Sequence, residues 1–486
     1  MAIEKNELIS NRLEKLDGLK ELGINPYPPS TPERIDVAVL RETGETEEEL
    51  ASSGRIMAKR KHGKTVFCDL VDPTGRIQLF INKKVLGDEG WELLLNLDLG
   101  DFIWVKGPLF VTRTGELSVR VKEIIVLSKA IRPMPVVKTD ADGTVHDAVS
   151  DPDFVYRHRA VDLLINEDSR KVFITRSKII SSIRAYLDSD GYIEVETPVL
   201  QQIYGGAAAD PFVSHYNSLD EEVYLRIATE LYLKRLLAGG IHRVYEMGKD
   251  FRNEGIDRTH SPEFTQLEIY EAWTDYNGMM KRFEEIVAAA AKAVGVGPVV
   301  EFAGHEIDLT PPFKRIPFVQ TLHEQSGEEL FDWSAEKLSA LAAKLGLGSD
   351  IKDRPTLLDK LFDHYVTPLL IQPSFVVDYP VELSPLAKQK ADNPLITERF
   401  EAFVAGLEIA NAFSEQNDPV YQRKVLEAQA GLSKLRKGVV DEEFLYALEV
   451  GMPPAGGLGI GIDRLVMVLT GSTSIRDTIL FPHLRR

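Results

Sequence analysis

Residues 251–268 read FRNEGIDRTHSPEFTQLE, which places two arginines and a histidine among several carboxylates. An arginine side chain is a planar fork that can bind a carboxylate or a phosphate through two parallel hydrogen bonds. If FRNEG is a strand, Arg252 and Glu254 share a face because they are two positions apart. One interpretation is a site that holds a polyphosphate and an amino group together. The alternative is an ordinary ion-pair pattern on a solvated strand or turn.

A second pattern, GGLGIGIDR at 456–464, alternates glycine with apolar residues. Its spacing is G-x-G-x-G rather than the G-x-G-x-x-G of a dinucleotide-binding loop, and no strand–helix–strand unit follows it. Glycines at alternate strand positions leave one face bare, so that a flat ligand or a backbone can approach closely. Arg464 stands where the strand passes into a helix, and we expect it to bind a phosphate.

Two carboxylates in FEAFVAGLEIAN form a third pattern. Glu401 and Glu408 are seven positions apart, which places them on opposite faces of one strand or on the same side of a helix. A bend at Gly406 would let both converge on a metal ion. Carboxylates that act together with substrate phosphates are the usual ligands of Mg²⁺. The alternative is a pair of solvated acids on an amphipathic element.

The elements that position these residues begin with an N-terminal helix and a small barrel. The chain has 486 residues, enough for two or three domains, and its 44% apolar and 27% charged residues are typical of globular proteins. Helical spacing of apolar residues predicts a helix over 3–23, which Gly23 and a proline-rich segment end. Five or so short alternating runs then predict a barrel. Phe67, Phe80 and Gln78 suit stacking and hydrogen bonding to splayed bases, although such aromatics are also common in cores.

A stretch at 130–150 rich in Pro, Asp and Gly is typical of a linker, and helical and strand-like periods alternate beyond it. A long helix is expected near 167–190, and YIEVETPVL is expected to form a strand that Pro198 stops. Residues near 320–370 are mainly helical in pattern and predict an insertion. The chain closes with GGLGIGIDRLVMVLTG, a buried strand that runs into a helix.

The net charge of −18 argues against nonspecific binding to nucleic acid, but RIMAKRKHGK at 55–64 is a local basic patch. The alternative for that patch is a strand edge that lysines keep soluble. Cys68 is the only cysteine, which excludes an intrachain disulfide and a cysteine-based zinc site. No run reaches the ~20 apolar residues of a membrane span. The charged N-terminus lacks the apolar core of a signal peptide, so we expect a cytoplasmic protein that does not contact a membrane.

Taken together, these blocks resemble the three signature motifs of the class II aminoacyl-tRNA synthetases. The first is the long helix with GYIEVETPVL, the second is FRNEG with HSPEFTQLE, and the third is GLGIGIDRLVMVL. The resemblance covers nearly the whole chain. It is strongest for the bacterial lysyl-tRNA synthetase family, through the segments YGGAAADPF, RIATELYLKRLLAGG, DYPVELSPLAK, EIANAFSEQNDP and SIRDTILFP.

The resemblance implies an α+β protein with two domains. An N-terminal helix and an OB-fold β-barrel that binds the anticodon are expected at 1–140, and a linker at 141–152. A class II catalytic domain, an antiparallel sheet flanked by helices, is expected at 153–486 with its helical insertion near 320–370. Because the first motif resembles the class II dimer interface, a homodimer is also expected.

The resemblance further implies how the chain binds ATP. Arg252 is expected to bridge the α-phosphate and the carboxylate of the amino acid, and so to stabilise the charge that develops during attack on phosphorus. Phe264 and Arg464 are expected to stack on the two faces of adenine, with Arg464 also near the γ-phosphate. The other residues expected at the nucleotide are Asn253, Glu254 and, at the γ-phosphate, His260. The carboxylates that match those holding Mg²⁺ at the pyrophosphate leaving group are Glu401 and Glu408.

The expected amino-acid pocket is acidic. Burying the ammonium groups of lysine is costly unless carboxylates pair with them. Glu268 and Glu415 match the family's ligands of the ε-ammonium, while Glu230 and the backbone of Gly206 match the ligands of the α-amino group. The remaining residues expected to line the pocket are Tyr270, Asn411 and Phe413. An aspartate-specific relative would need cations at these positions, which argues against that alternative.

In the barrel, Phe67 and Gln78 align with residues that read the central uridine of the anticodon by stacking and hydrogen bonding. Lys59 and Arg60 lie where a basic contact is expected. The implied reaction has two steps: L-lysine and ATP give lysyl-adenylate and pyrophosphate, and the 3′ end of tRNA(Lys) then accepts lysine. Catalysis would rest on positioning of the substrates and stabilisation of charge, and the enzyme would need no covalent nucleophile.

Three departures from the family pattern concern loops. Asp210 replaces an arginine, Thr259 stands before the histidine where many members have arginine, and Leu407 replaces a basic residue. We expect them to affect loop geometry and ATP affinity. Two rival functions remain: a relative that charges a protein lysine, whose members lack the barrel, and a noncatalytic RNA-binding module, which would have lost one of the site arginines or metal carboxylates.

Overall fold

The protein is described by a computed structural model over residues 7–135, 138–139, 145–146, 151–348, 351–432 and 440–485. The chain forms two compact units, Met1–Ser150 and Asp151–Arg486. The linker predicted at 141–152 lies outside the described residues except for 145–146 and 151–152.

The first unit is a small barrel preceded by a helix. Its helices are α1 (Glu7–Glu21), α2 (Val37–Thr43) and α3 (Lys83–Leu95). Its strands are β1 (Thr46–His62), β2 (Thr65–Asp72), β3 (Gly75–Asn82), β4 (Phe102–Val111), β5 (Leu117–Arg120), β6 (Glu123–Ser128), β7 (Lys138–Thr139) and β8 (Val145–His146). The main sheet has the order β1-β2-β3-β5-β4-β6, and β1 also pairs with β4, which closes the barrel. The predicted barrel is confirmed.

Strand β2 shows how the sequence builds this barrel. Val66, Cys68 and Leu70 are fully buried in its core, while Phe67 between them is half-buried on the other face. This is the period of two that a strand with one buried face requires. The predicted helix over 3–23 begins at Glu7 within the described residues, and Gly23 follows it with φ 74°, a left-handed conformation that suits glycine.

The second unit combines a large sheet with many helices. Its helices are α4 (Pro152–Arg157), α5 (Arg159–Ile165), α6 (Glu167–Ser189), α7 (Glu230–Ala238), α8 (Tyr276–Ala293), α9 (Phe318–Ser326), α10 (Ala335–Lys344), α11 (Arg354–Tyr365), α12 (Pro419–Leu432), α13 (Glu442–Val450), α14 (Ile462–Thr470) and α15 (Ile475–Thr478). Its 3₁₀ turns are Leu330–Asp332, Thr367–Leu369 and Val381–Leu383.

The strands of the second unit are β9 (Ile193–Glu194), β10 (Leu200–Gln201), β11 (Val213–Tyr216), β12 (Glu221–Leu225), β13 (Arg243–Phe251), β14 (Glu263–Ala272), β15 (Val299–Phe302), β16 (His305–Asp308), β17 (Lys314–Pro317), β18 (Ser374–Val377), β19 (Arg399–Val404), β20 (Leu407–Ser414) and β21 (Ala455–Gly461). The main sheet has the order β17-β18-β19-β20-β21-β14-β13-β9. Its central pairs are antiparallel, whereas the outermost pair at each edge is parallel. The predicted α+β class with an antiparallel catalytic sheet is confirmed, with these two parallel edges as an addition.

Helices α6, α8 and α14 pack on this sheet through one continuous apolar core. In α6 the buried positions Ile179, Ile183 and Leu187 recur every fourth residue, which keeps one helix face against the sheet. Asn166 caps the helix N-terminus by accepting from two backbone N–H groups. The helix predicted near 167–190 is therefore confirmed.

The strand predicted for YIEVETPVL is wrong in length. Only Ile193 and Glu194 form a strand, which pairs with β13. The backbone N–H of Thr197 donates to Glu246 Oε2 at 3.0 Å and not to a neighbouring strand. Pro198 follows and has no N–H to give, so the ladder ends there. The chain then enters a second, three-stranded sheet through β10.

Three helices, α9 to α11, lie in the range predicted as a helical insertion, and they share a separate apolar core with strand β18 and its neighbours. Among the residues that the structure describes, no helix combines the length and the apolar character needed to cross a bilayer.

Candidate active site

A cavity of about 370 Å³ lies over the central strands β14, β20 and β21. It gathers side chains from five separate segments of the sequence. The predicted residues that line it are Gly206, Glu230, Arg252, Glu254, His260, Phe264, Glu268, Tyr270, Glu401, Glu408, Asn411, Phe413 and Arg464. Two predicted residues are not in its lining, Asn253 and Glu415.

Arg252 and Phe264 mark one part of the cavity. Strand β13 ends at Phe251, so the prediction that Arg252 and Glu254 share a strand face is wrong. The backbone N–H of Arg252 donates to Pro262 O at 2.9 Å, and the connection to β14 starts there. The guanidinium lies 5.1 Å from the centre of the Phe264 ring, and among the described residues only its Nε has a hydrogen-bond partner, Ile227 O at 3.5 Å. The two Nη groups are thus open to an anion.

The loop between β13 and β14 is organised by one carboxylate. Asp257 accepts from the backbone N–H of Thr259 at 2.7 Å and of His260 at 2.8 Å, and it contacts the His260 ring. Partial burial opposes its ionisation, but the Thr259 N–H and the His260 ring outweigh burial and hold the Asp257 pKa at about 2. Thr259, one of the departures from the family pattern, therefore serves the turn that presents His260.

Arg464 begins the last core helix and reaches back to this loop. Its Nη1 donates to the backbone oxygen of Glu408 at 2.8 Å and to Glu408 Oε2 at 3.1 Å, and its Nε donates to Thr259 O at 3.3 Å. Its Nη2 lies 3.0 Å from His260 Nε2. The structure thus brings together the three residues expected at the γ-phosphate and the metal.

Glu401 and Glu408 lie on the two arms of a hairpin. The predicted bend is confirmed: β19 turns into β20 at Ala405 and Gly406, which have φ of 50° and 72°. Burial, together with the negative charges of Glu408 and Asp359, raises the pKa of Glu401 to about 7 despite the Arg399 guanidinium beside it. A cation at this hairpin would relieve that repulsion, so the two carboxylates fit a metal that takes its other ligands from phosphates and water. No cluster of three or more metal-ligating side chains is present among the described residues.

Glu268 lies on β14 in the interior of the cavity. Its Oε2 accepts from the Tyr270 hydroxyl at 3.0 Å and its Oε1 from Gln266 Nε2 at 2.5 Å. Burial raises its pKa to about 8, helped by the negative charges of Glu230 and Asp250. This carboxyl is poised to gain a cationic partner.

The sequence analysis missed Lys234. Its ammonium is completely buried and lies 2.6 Å from Glu230 Oε1 and 2.5 Å from Glu415 Oε2. Glu415 is not part of the cavity lining, and no described residue forms a hydrogen bond with its Oε1. Burial raises the pKa of Glu230 and of Glu415 even with Lys234 present. The available signal was the i,i+4 spacing of Glu230 and Lys234 in ELYLK.

Arg399 is a second missed residue. Its Nε donates to Asn411 Oδ1 at 3.1 Å and its Nη2 to Glu401 Oε1 at 2.5 Å. The Tyr379 hydroxyl donates to the other oxygen of Glu401 at 2.8 Å. Arg399 thus joins the amino-acid pocket to the carboxylate hairpin. Its R-x-E spacing with Glu401 on β19 is the same pattern that the sequence analysis weighed only in FRNEG.

The alternating glycines of β21 face this cavity. A Cβ at Gly457 would come within 1.9 Å of Glu415 Oε1, and one at Gly459 within 3.0 Å of Glu268 Oε1. A Cβ at Gly457 would force Glu415 to move, and one at Gly459 would crowd Gln266 Nε2 at 2.9 Å as well as Glu268, so the two glycines make room for both carboxylates. The strand and its bare face were predicted, although its neighbours are carboxylates and not a backbone.

In the barrel, Phe67, Phe80 and Phe110 form a ladder of edge-on rings with centres 5.4 and 5.5 Å apart. Gln78 pairs with β2 on the same sheet and accepts from Ser118 Oγ at 3.0 Å. Arg60 is exposed, with its guanidinium 3.3 Å from Asp69.

Lys59 does not fit the predicted contact with RNA. Its ammonium is largely buried and donates to Leu94 O at 2.8 Å and Leu97 O at 2.6 Å. Burial lowers its pKa. These carbonyls hold the ammonium inside the first unit, where it stabilises the end of α3, so it is not a free cation for the anticodon.

Comparison with known proteins assigns each of the two units to a protein family. Residues 151–485 match the family described as tRNA synthetases class II (D, K and N), and residues 53–127 match the OB-fold nucleic acid binding domain family. A lysine–tRNA ligase of Moorella thermoacetica is 48% identical over 491 residues, which cover 99% of this chain and 98% of the relative. Lysine–tRNA ligases of Thermoanaerobacter sp. (strain X514) and Clostridium acetobutylicum are 46% and 44% identical, each over 99% of this chain and over 97% and 94% of their own length.

Proposed function

Since this chain belongs to the class II tRNA synthetases, we propose that it ligates lysine to tRNA at the expense of ATP. L-Lysine and ATP react to lysyl-adenylate and pyrophosphate, and the adenylate then passes lysine to the 3′ end of the tRNA. The OB-fold unit fits this activity because such barrels bind single-stranded nucleic acid.

The negative charge of the pocket is the observation that supports lysine as the amino-acid substrate. Of the three buried carboxylates, Glu230 and Glu415 contact the ammonium of Lys234, whereas Glu268 accepts hydrogen bonds from the neutral side chains of Gln266 and Tyr270. L-Lysine brings two ammonium groups, which leaves each carboxylate with a cation. An aspartate side chain would bring a further negative charge to this buried group of carboxylates, and burying like charges together is costly. We therefore assign Glu268 and Glu415 to the ε-ammonium and Glu230, with the backbone at Gly206, to the α-amino group.

In the first step a carboxylate oxygen of lysine attacks the α-phosphorus of ATP, and the bond from that phosphorus to the bridging oxygen of pyrophosphate breaks. We assign Arg252 to both the lysine carboxylate and the α-phosphate, because its two Nη groups are open to anions. Its guanidinium stabilises the charge that grows on the phosphoryl oxygens. Phe264 beside it and Arg464 supply the two faces between which adenine stacks, and Asn253, Glu254 and His260 complete the nucleotide site.

The hairpin carboxylates Glu401 and Glu408 are assigned to Mg²⁺, which would supply charge neutralisation at the departing pyrophosphate. Arg399 orients Glu401 from one side and Tyr379 from the other. The same arginine contacts Asn411, which we assign to the lysine pocket with Tyr270 and Phe413.

For the tRNA we assign anticodon binding to residues 1–140 and catalysis to 153–486, joined by a linker at 141–152. In the barrel Phe67 would stack on the central base of the anticodon, Gln78 would bond its edge, and Arg60 would meet the backbone.

We further propose a homodimer. Exposed apolar side chains recur from the end of the first sequence motif through β11 and the turn that follows it, at Ile193, Val199, Leu200, Val213, Tyr216 and Leu219. A monomer that left these side chains in water would carry an unusual apolar surface, and a second copy would cover it. A cytoplasmic location accords with this assignment.

The decisive experiment is ATP–pyrophosphate exchange with each of the twenty standard amino acids, in Mg²⁺ and without tRNA. Exchange with lysine alone is the expected result, and charging of tRNA(Lys) should then follow. Exchange with another amino acid would reassign the three carboxylates. Binding of tRNA without any exchange would favour the noncatalytic RNA-binding alternative, and lysylation of a protein without charging of tRNA would favour the protein-modifying one.

A further inference from the structure

The ammonium of Lys234 lies between two carboxylates that meet opposite ends of the proposed substrate. It is 2.6 Å from Glu230 Oε1 and 2.5 Å from Glu415 Oε2, and its side chain is 0% exposed. The Phe413 and Phe444 rings lie 5.2 and 5.9 Å from it. Aromatic faces attract a desolvated cation, so the site is built for an ammonium.

Lys234 and Glu230 share helix α7, one turn apart, whereas Glu415 follows strand β20. The ammonium therefore ties the helix to the strand end. Each carboxylate uses one oxygen on Lys234 and keeps the other. Glu415 Oε1 has no hydrogen-bond partner in the described part of the chain, and Glu230 Oε2 lies near Gly206 in the wall of the cavity.

The simpler interpretation is that Lys234 only neutralises buried charge. Both carboxylates would be difficult to keep ionised without it, because burial already raises the pKa of each. That interpretation does not explain why only one oxygen of each carboxylate contacts Lys234. One oxygen of each carboxylate contacts Lys234, while the second oxygens lie beside two glycines of the cavity lining, Glu230 Oε2 at Gly206 and Glu415 Oε1 at Gly457.

Building on the proposed function, we infer that Lys234 is a positioning residue that fixes the separation between Glu230 and Glu415. This separation selects a substrate whose two ammonium groups are as far apart as those of lysine. Shorter and longer diamino acids place one ammonium away from its carboxylate and leave a buried charge unpaired. Lys234 thus acts on chain-length specificity without touching the reacting atoms.

The first test compares Lys234→Met with the wild type in ATP–pyrophosphate exchange. Methionine fills the space of the lysine stem but carries no charge. The KM for lysine should rise at least about tenfold, the KM for ATP should stay within about twofold, and the preference for lysine over ornithine should fall at least about fivefold. Lys281→Met, at a lysine exposed on α8, is the matched control and should leave all three quantities unchanged. A Lys234→Met enzyme with wild-type lysine KM and wild-type selectivity would overturn the inference.

Lys234→Arg covers the case in which Lys234→Met does not fold. Arginine keeps the charge but changes the geometry between the carboxylates. A change of at least about threefold in the ornithine-to-lysine KM ratio is expected, and an unchanged ratio overturns the inference. The wild type should in addition discriminate against both ornithine and homolysine by about tenfold or more. If the wild type shows no lysine-dependent ATP–pyrophosphate exchange, the proposed function itself is refuted. That outcome is distinct from a failure of the inference about Lys234, in which the wild type exchanges normally.

Discussion

The guanidinium of Arg464 contacts Glu408 twice, at the backbone oxygen 2.8 Å away and at the carboxylate Oε2 3.1 Å away. The residue expected to stack on adenine is thereby fixed to a residue expected to hold Mg²⁺. We therefore expect a change in the charge of Glu408 to affect ATP binding in two ways, through Arg464 at the adenine and through Mg²⁺ at the phosphates.

Replacing Glu408 with glutamine should raise the Mg²⁺ concentration for half-maximal exchange by about tenfold. The amide oxygen retains an acceptor for Arg464 but loses the charge that attracts the metal. Magnesium titrations of the exchange reaction measure this directly, with Glu427→Gln on the exposed face of α12 as the control. An unaltered magnesium dependence would exclude Glu408 as a metal ligand.

Replacing Arg252 with lysine should lower kcat of exchange by about 10²-fold while the folded structure is kept. Lysine retains the charge but cannot bridge the α-phosphate and the carboxylate with two parallel hydrogen bonds. Single-turnover adenylate formation would locate the loss in the chemical step, and Arg423→Lys on α12 controls for a general effect of the substitution. Equal rates in Arg252→Lys and the wild type would contradict the assigned role.

Replacing Glu268 with glutamine should raise the KM for lysine by roughly ten- to 100-fold, since a buried charged hydrogen bond is lost. The KM for ATP should change little because Glu268 lies in the amino-acid part of the cavity. Steady-state exchange kinetics with each substrate varied in turn separate the two constants. Glu301→Gln, at an exposed position of β15, is the matched control. Unchanged lysine dependence would remove Glu268 from the pocket.

Lysine affinity should depend on pH through the same carboxyl. Burial raises the pKa of Glu268 to about 8 in the free protein, so below that pH a bound ammonium must displace a proton. Affinity should rise about tenfold per pH unit between pH 6 and 8 and level off above it. The charged groups that act on Glu268 from neighbouring elements are Glu230 and Asp250, and Glu268 and Glu415 repel each other.

Calorimetry in buffers of different ionisation enthalpy should detect proton release on lysine binding at pH 7, and Glu268→Gln should reduce it. A folded pKa raised above the usual 4.5 also means that the lysine-free protein loses stability as pH rises between these two values. Lysine should therefore raise Tm more at pH 8 than at pH 6. A pH-independent affinity would contradict this prediction.

Replacing Phe67 with alanine should lower kcat/KM for tRNA by about ten- to 100-fold, the value of one stacked base, and leave ATP–pyrophosphate exchange intact. Phe102→Ala is a matched control, because Phe102 is an exposed barrel phenylalanine outside the ring ladder. If both variants charged tRNA equally, the ladder would have no part in anticodon reading.

Local patterns predicted the parts of the fold that depend on neighbouring residues. The strand and helix at 455–470 followed from alternating glycines and an apolar helical period, and the hairpin at Gly406 from its glycine. The predicted strand after Tyr192 stopped early because Glu246, far along the chain, takes the Thr197 N–H. No local pattern carries that information.

In the candidate site, too, local patterns predicted some residues, while contacts between distant parts of the chain decided others. Residue types in three short blocks identified most of the side chains that line the cavity. Lys59 looked like a free cation because its partners, the carbonyls of Leu94 and Leu97, come from a later helix end. Lys234 and Arg399 were missed because charged residues at helix or strand spacing usually face water, and only the assembled sheet buries these two.

The bare face of β21 limits how the pocket can change. A side chain at Gly457 would displace the carboxylate of Glu415, and one at Gly459 would crowd Gln266 and Glu268. Variants that escape a lysine-mimicking inhibitor while still using lysine should therefore not arise on this strand.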